Sequence, residues 1–115
     1  MLNRTALIVR PAQPFIEWAR DIDDSILPDP DGEQHIYLVS EFDDERQFEK
    51  MLKLVYSEIF ERELESWFIE EELWPKDRTF AMFLQWFKIE YHTIIEDLCD
   101  YPLQDDEPFE LADDI

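Results

Sequence analysis

"TFAMFLQWFKIEYHTIIEDLCD", Thr79–Asp100, carries apolar residues at a helical period. Phe80, Leu84, Phe87, Tyr91, Ile94 and Leu98 step by four, three, four, three and four residues, the spacing of one helix face. Met82, Trp86 and Ile89 form a second apolar row, and only Gln85, Lys88, His92 and Glu96 make a polar stripe. The spacing predicts a helix that starts between Asp77 and Thr79, runs to about Asp100 and is closed by Pro102. Apolar around most of its circumference, such a helix belongs at the centre of a core or partly in a dimer interface.

Upstream, Trp74-Pro75 separates this segment from another helix, because the residue before a proline is pushed out of helical geometry. That earlier helix starts at Asp43 and Asp44, which suit the positive end of the helix dipole, and reaches Leu64 or beyond. Its stripe is Phe48, Leu52, Val55 and Ile59, widened by Met51, Tyr56 and Phe60. Arg4–Arg10 reads as a short strand, with a continuous apolar run that suits burial on both faces. A short amphipathic helix follows from Pro14 to about Ile22, then a proline-rich loop, Asp23–Gln34, with an Asp-Gly turn. His35–Phe42 reads as a second strand. Strand, helix, strand suggests a right-handed crossover between parallel strands.

The expected fold is therefore α+β in the order β-α-β-α-α, a small sheet covered by two long helices. Residues 1–102 form one globular domain, and 103–115 an acidic, flexible tail. Two strands make a poor sheet. A homodimer that extends the sheet or pairs the last helices would remedy that.

Thirty acidic residues against ten basic ones give a net charge of −20, half of it in the last 27 residues. Such a chain lacks the cations that displace phosphate counterions, so neither nucleic acid nor an anionic membrane surface is an expected partner. A basic protein is. No stretch approaches the length of a membrane helix, the N-terminal apolar run is too short for a signal peptide, and Cys99 is the single cysteine. These features fit a reducing cytoplasm.

Candidate chemistry is sparse, and no cofactor motif occurs. His92, Glu96 and Cys99 fall at i, i+4 and i+7 of the expected last helix and are all competent metal ligands. Two turns separate the first from the last, about 10 Å, so a second element would have to complete a site. A calcium loop around Gly32 would place Leu27 and Leu38 at ligand positions, which does not work. The serines lie in no strained elbow, and the carboxylates beside Cys99 disfavour its thiolate. Carboxylates are too numerous for any pair to single itself out as an acid/base site. Candidate interaction residues are Trp74 and Trp86, the glutamates Glu70, Glu71 and Glu72, and the basic stripe Arg46, Lys50 and Lys53.

With "LWPKDRTFAMFLQWF" followed by "EYHTIIEDLCD", and "RPAQPFIEW" near the start, the chain resembles a family of small acidic bacterial proteins of unknown function, over most of its length to about Pro108. The resemblance implies a bacterial, cytoplasmic protein and assigns no activity or site. The leading expectation is a non-enzymatic interaction or regulatory module that binds a basic partner, in its extreme form a nucleic-acid mimic. The alternative is a metal-binding or carboxylate-based enzyme using His92, Glu96 and Cys99.

Overall fold

The computed structural model describes residues 1–26 and 28–105. It is α+β: β1 (Thr5–Pro11), α1 (Gln13–Ile22), β2 (His35–Val39), α2 (Glu45–Glu65), one 3-10 turn (Glu71–Leu73), α3 (Phe80–Trp86) and β3 (Phe87–His92). Residues 106–115 of the expected tail lie outside the described residues.

The three strands form one antiparallel sheet in the order β2-β1-β3. This corrects two expectations. First, β1 and β2 are antiparallel, with Val9 opposite His35 and Thr5 opposite Val39. Helix α1 runs out for ten residues, about 15 Å, and the loop after it brings the chain back to the end of the sheet it left. The loop, not the helix alone, sets the strand direction.

Second, the long last helix does not exist. Thr79 caps α3 by accepting the Met82 N–H at 3.1 Å, but the helix ends at Trp86, and Phe87 is already extended. From there the chain pairs with β1, from Phe87 opposite Pro11 to His92 opposite Ala6. The ladder is fastened at both ends, by the Ala12 N–H on the Trp86 carbonyl and the Leu2 N–H on the Ile95 carbonyl, each 2.8 Å. Phe87, Ile89 and Tyr91 turn to the helices and Lys88, Glu90 and His92 turn away, a period of two. The third strand also supplies what a two-stranded sheet lacked.

Among the described residues α2 is the one long helix. The Asp44 carboxylate accepts the Gln47 N–H, and the Gln47 side chain accepts the Asp43 N–H, both at 2.9 Å, a close relative of the capping box. Its buried face, Met51, Leu52, Ile59, Phe60 and Leu64, packs with Leu7, Val9 and Val39 of the sheet. Phe15, Phe60, Phe83 and Phe87 are buried in an aromatic cluster at the centre, with ring centroids of neighbouring pairs 5.2–6.1 Å apart. The opposite face of the sheet is open at β2, where Ile36 and Leu38 are 62% and 47% exposed. The apolar run of β1 is thus covered by helices on one face only. On the open face His92 Nε2 lies 2.7 Å from Glu90 Oε2, and that hydrogen bond holds the Glu90 carboxyl below the usual range.

Candidate functional site

The apolar stripe of α2 contains one anomaly. Four residues after Ile59, where another apolar side chain is due, stands Glu63. Its side chain is only 8% exposed. It faces β2, whose alternation puts His35 and Tyr37 on the helix-covered side of the sheet. The Tyr37 hydroxyl donates to Glu63 Oε2 at 2.5 Å, and His35 Nδ1 lies 2.6 Å from the same oxygen. The Ser66 hydroxyl closes the helix end by donating to the Glu63 carbonyl at 2.6 Å. A cleft of about 370 Å³ opens beside this cluster, walled by Val9, Pro11 and Phe15, with Asp29, Glu33 and Trp67 at the rim.

Burial opposes the Tyr37 phenolate, and the Glu63 carboxylate, which accepts the hydroxyl's hydrogen bond, favours the protonated form and repels the negative charge. Together they hold Tyr37 far above the ordinary tyrosine range. The folded pKa is raised, so this contribution to stability is complete below the unfolded value of about 10 and is lost as pH rises past it. Wild-type protein is expected to lose stability above about pH 10, and Tyr37→Phe to lack that share of the loss. Urea unfolding of both proteins at stepped alkaline pH measures it. Parallel curves for the two proteins would contradict the assignment.

The Ser66 hydroxyl donates to a backbone carbonyl, and among the described residues no hydroxyl is hydrogen-bonded to His35 as a paired nucleophile would be.

A second concavity, about 630 Å³, lies between α2 and the 3-10 turn. Four carboxylates line it, Glu58, Glu61 and Glu65 from α2 and Glu71 from the turn, with Leu54 and Trp74 as apolar wall. Arg62 pairs with Glu58 at 3.0 Å, and Arg78 stands 3.7 Å from Glu61. Among the described residues Glu65 and Glu71 have no cationic partner. The chain matches no family model, no curated protein and no solved structure.

The residues expected from sequence are placed differently. His92, Glu96 and Cys99 share no helix: His92 ends β3, Glu96 binds the N-terminal amine at 3.1 Å, and Cys99 is exposed in an irregular segment. Among the described residues no three His, Cys, Asp or Glu side chains gather as a metal site. Trp74 is 7% exposed, and its Nε1 donates to the Phe68 carbonyl at 2.7 Å, so it pins the turn while it also lines the acidic groove. Trp86 is half-buried against Phe15, Trp18 and Phe60. Glu70, Glu71 and Glu72 are exposed, and Glu71 alone of the three lines the acidic groove. Arg46, Lys50 and Lys53 lie exposed on α2, where Lys53 pairs with Glu49 at 3.1 Å. Sequence reasoning missed Glu63, His35 and Tyr37. The available signal was a carboxylate in an apolar stripe.

Proposed function

We propose that the chain is a non-enzymatic interaction module that engages a basic protein partner through the acidic groove between α2 and Glu71–Trp74. The observation that carries this reading is the placement of the carboxylates. Glu58, Glu61 and Glu65 stand on a capped 21-residue helix, so the negative charge is arrayed on a fixed surface and not confined to the last residues of the chain. A cationic segment laid there meets Glu65 and Glu71 and rests its stems on Leu54 and Trp74. In its extreme form the array occupies a nucleic-acid-binding protein in place of phosphates, and DNA would then compete for the partner. The single cysteine, Cys99, fits a reducing cytoplasm as the setting, and the resemblance implies a bacterial one.

A pull-down from native lysate at low and high salt tests the groove. Basic proteins recovered at low salt, released by salt and lost with Glu61→Lys, Glu65→Lys and Glu71→Lys combined, are the expected result. Recovery that ignores both salt and the three substitutions would contradict it.

A second copy at β2 is the other reading with an observation behind it. Gln34–Ser40 contains no Asp, Glu, Lys or Arg in a chain with 30 acidic residues, and no hydrogen bond from another described segment closes the outer edge of β2. Edge strands that must stay single carry charge or proline. Strand β3, at the other edge, carries Lys88 and Glu90. Two-fold pairing about Tyr37 would set Ile36 beside Leu38 of the second copy. A dimer in light scattering at tens of micromolar is expected, and a monomer there would refute it.

A further inference from the structure

Glu63 is buried, yet half of its carboxylate is unused. Both donors that reach it, the Tyr37 hydroxyl and His35 Nδ1, fall on Oε2. Among the described residues Oε1 receives no hydrogen bond, although the side chain is only 8% exposed. Nor is Oε1 sealed: among the described residues the one fully buried side-chain atom without a partner is Nε of Arg78. Solvent therefore reaches Oε1, and the cavity that Glu63 lines is the cleft beneath β2. A carboxylate that is 8% exposed has given up most of its hydration, and a cation that enters the cleft gives a charged partner to the oxygen that accepts from no described group.

We propose that this cleft is a binding site for a primary alkylammonium group. The rest of the cleft suits such a ligand along its length. Glu63 is the buried carboxylate of the lining, Val9, Pro11 and Phe15 give an apolar wall for a methylene chain, and the exposed Glu33 adds negative charge. Trp67, 37% exposed, lines the same cleft, and an indole attracts a cation. Asp29 is partly committed, because its Oδ1 accepts the Asp31 N–H at 2.9 Å. A volume of about 370 Å³ accommodates a small organic amine or one lysine side chain.

The occupied oxygen also sets selectivity. A guanidinium binds a carboxylate best as a fork, with one N–H on each oxygen. Oε2 of Glu63 already accepts from two groups, so the fork is blocked and only a single-point contact remains. An ammonium is a point donor and loses nothing by this. The site therefore favours lysine-like over arginine-like ligands. The cleft can hold an ammonium group whether or not the groove on the other side of α2 holds a basic partner.

Titration with n-pentylammonium chloride, against potassium chloride at equal ionic strength and constant pH, tests this. The Trp67 indole N–H resonance is the readout. A saturable shift with a Kd on the order of 1 mM is expected, weakened about tenfold or more by Glu63→Gln. n-Pentylguanidinium should bind several-fold more weakly than the amine. Glu33→Gln, at the exposed rim, keeps the test decisive if Glu63→Gln unfolds the protein, and should weaken binding about two- to threefold. A capped Ala-Lys-Ala peptide separates the sources: binding at least as tight as the amine assigns a protein side chain, and exclusion of the peptide assigns a free amine. A shift that does not saturate, an affinity unchanged by both substitutions, or a guanidinium that binds equally well would overturn the proposal.

Discussion

Phe60→Ala is expected to destabilise the fold by about 3–5 kcal/mol, the range for truncating a fully buried aromatic side chain. Phe60 is fully buried, and its ring meets Phe83, Trp86 and Phe87 at centroid distances of 6.1, 5.6 and 5.2 Å. The Arg78 guanidinium lies 5.9 Å from the ring. Those partners come from α3, from the first residue of β3 and from the turn before them. The cavity would thus open where the chain changes from helix to strand, and the neighbours cannot close it without moving the sheet. For a domain whose total stability is about 5–15 kcal/mol, the loss is a large share. Leu54→Ala on the same helix provides the contrast: Leu54 is 85% exposed, and its truncation should stay within about 0.5 kcal/mol. Urea midpoints of the two variants measure the difference. Similar midpoints would mean that Phe60 is not at the centre of the core.

Glu63→Ala is the second large effect, about 2–4 kcal/mol, because it leaves the Tyr37 hydroxyl and His35 Nδ1 without their acceptor beside a buried helix face. The value lies below that of a fully buried ion pair because His35 is half exposed and water replaces part of its bond. The chemistry predicts non-additivity. Tyr37→Phe combined with Glu63→Met removes both buried polar ends and fills the space, so the double variant should recover much of what Glu63→Ala loses. Losses in the double variant that equal the sum of the separate changes would show that Tyr37 and Glu63 do not act as a pair.

Phe60 and Glu63 stand on the helix that was most legible in the sequence. The stripe of α2 and its acidic cap follow from local rules, and the structure follows those rules, but α2 already ends at Glu65, ahead of the break expected at Trp74-Pro75. The segment after Trp86 obeys two periods at once. Phe87 and Tyr91 fit the 3.5-residue step that extends from Phe80, and Phe87, Ile89 and Tyr91 fit a step of two. Lys88, Glu90 and His92 between them complete a strict alternation. What decides between the periods is non-local: the edge of β1 is open to a partner, and pairing there satisfies a row of backbone groups that a helix would satisfy within itself. The direction of β2 was hidden for a similar reason, since the returning loop carries no periodic signal. Glu63 stands at an apolar position, but its partners lie 26 and 28 residues away on another element, and only the fold brings them together. The metal-like row His92, Glu96, Cys99 was a property of the helix period and disappears with the helix.

The charge of −20 sets carboxylates on α2 and on the turn after it, and the proposed docking of a basic partner there would give that charge a role. Fluorescence anisotropy of a lysine-rich peptide, titrated with three proteins at low salt, tests that most directly. The three are the full chain, a chain lacking Leu103–Ile115, and the variant combining Glu61→Gln, Glu65→Gln and Glu71→Gln. A docking groove on α2 predicts that the truncated chain keeps its affinity within about twofold while the groove variant loses about tenfold or more. Retained affinity in the groove variant, with loss in the truncated chain, would place the interaction in the acidic C-terminal segment and contradict a groove on α2.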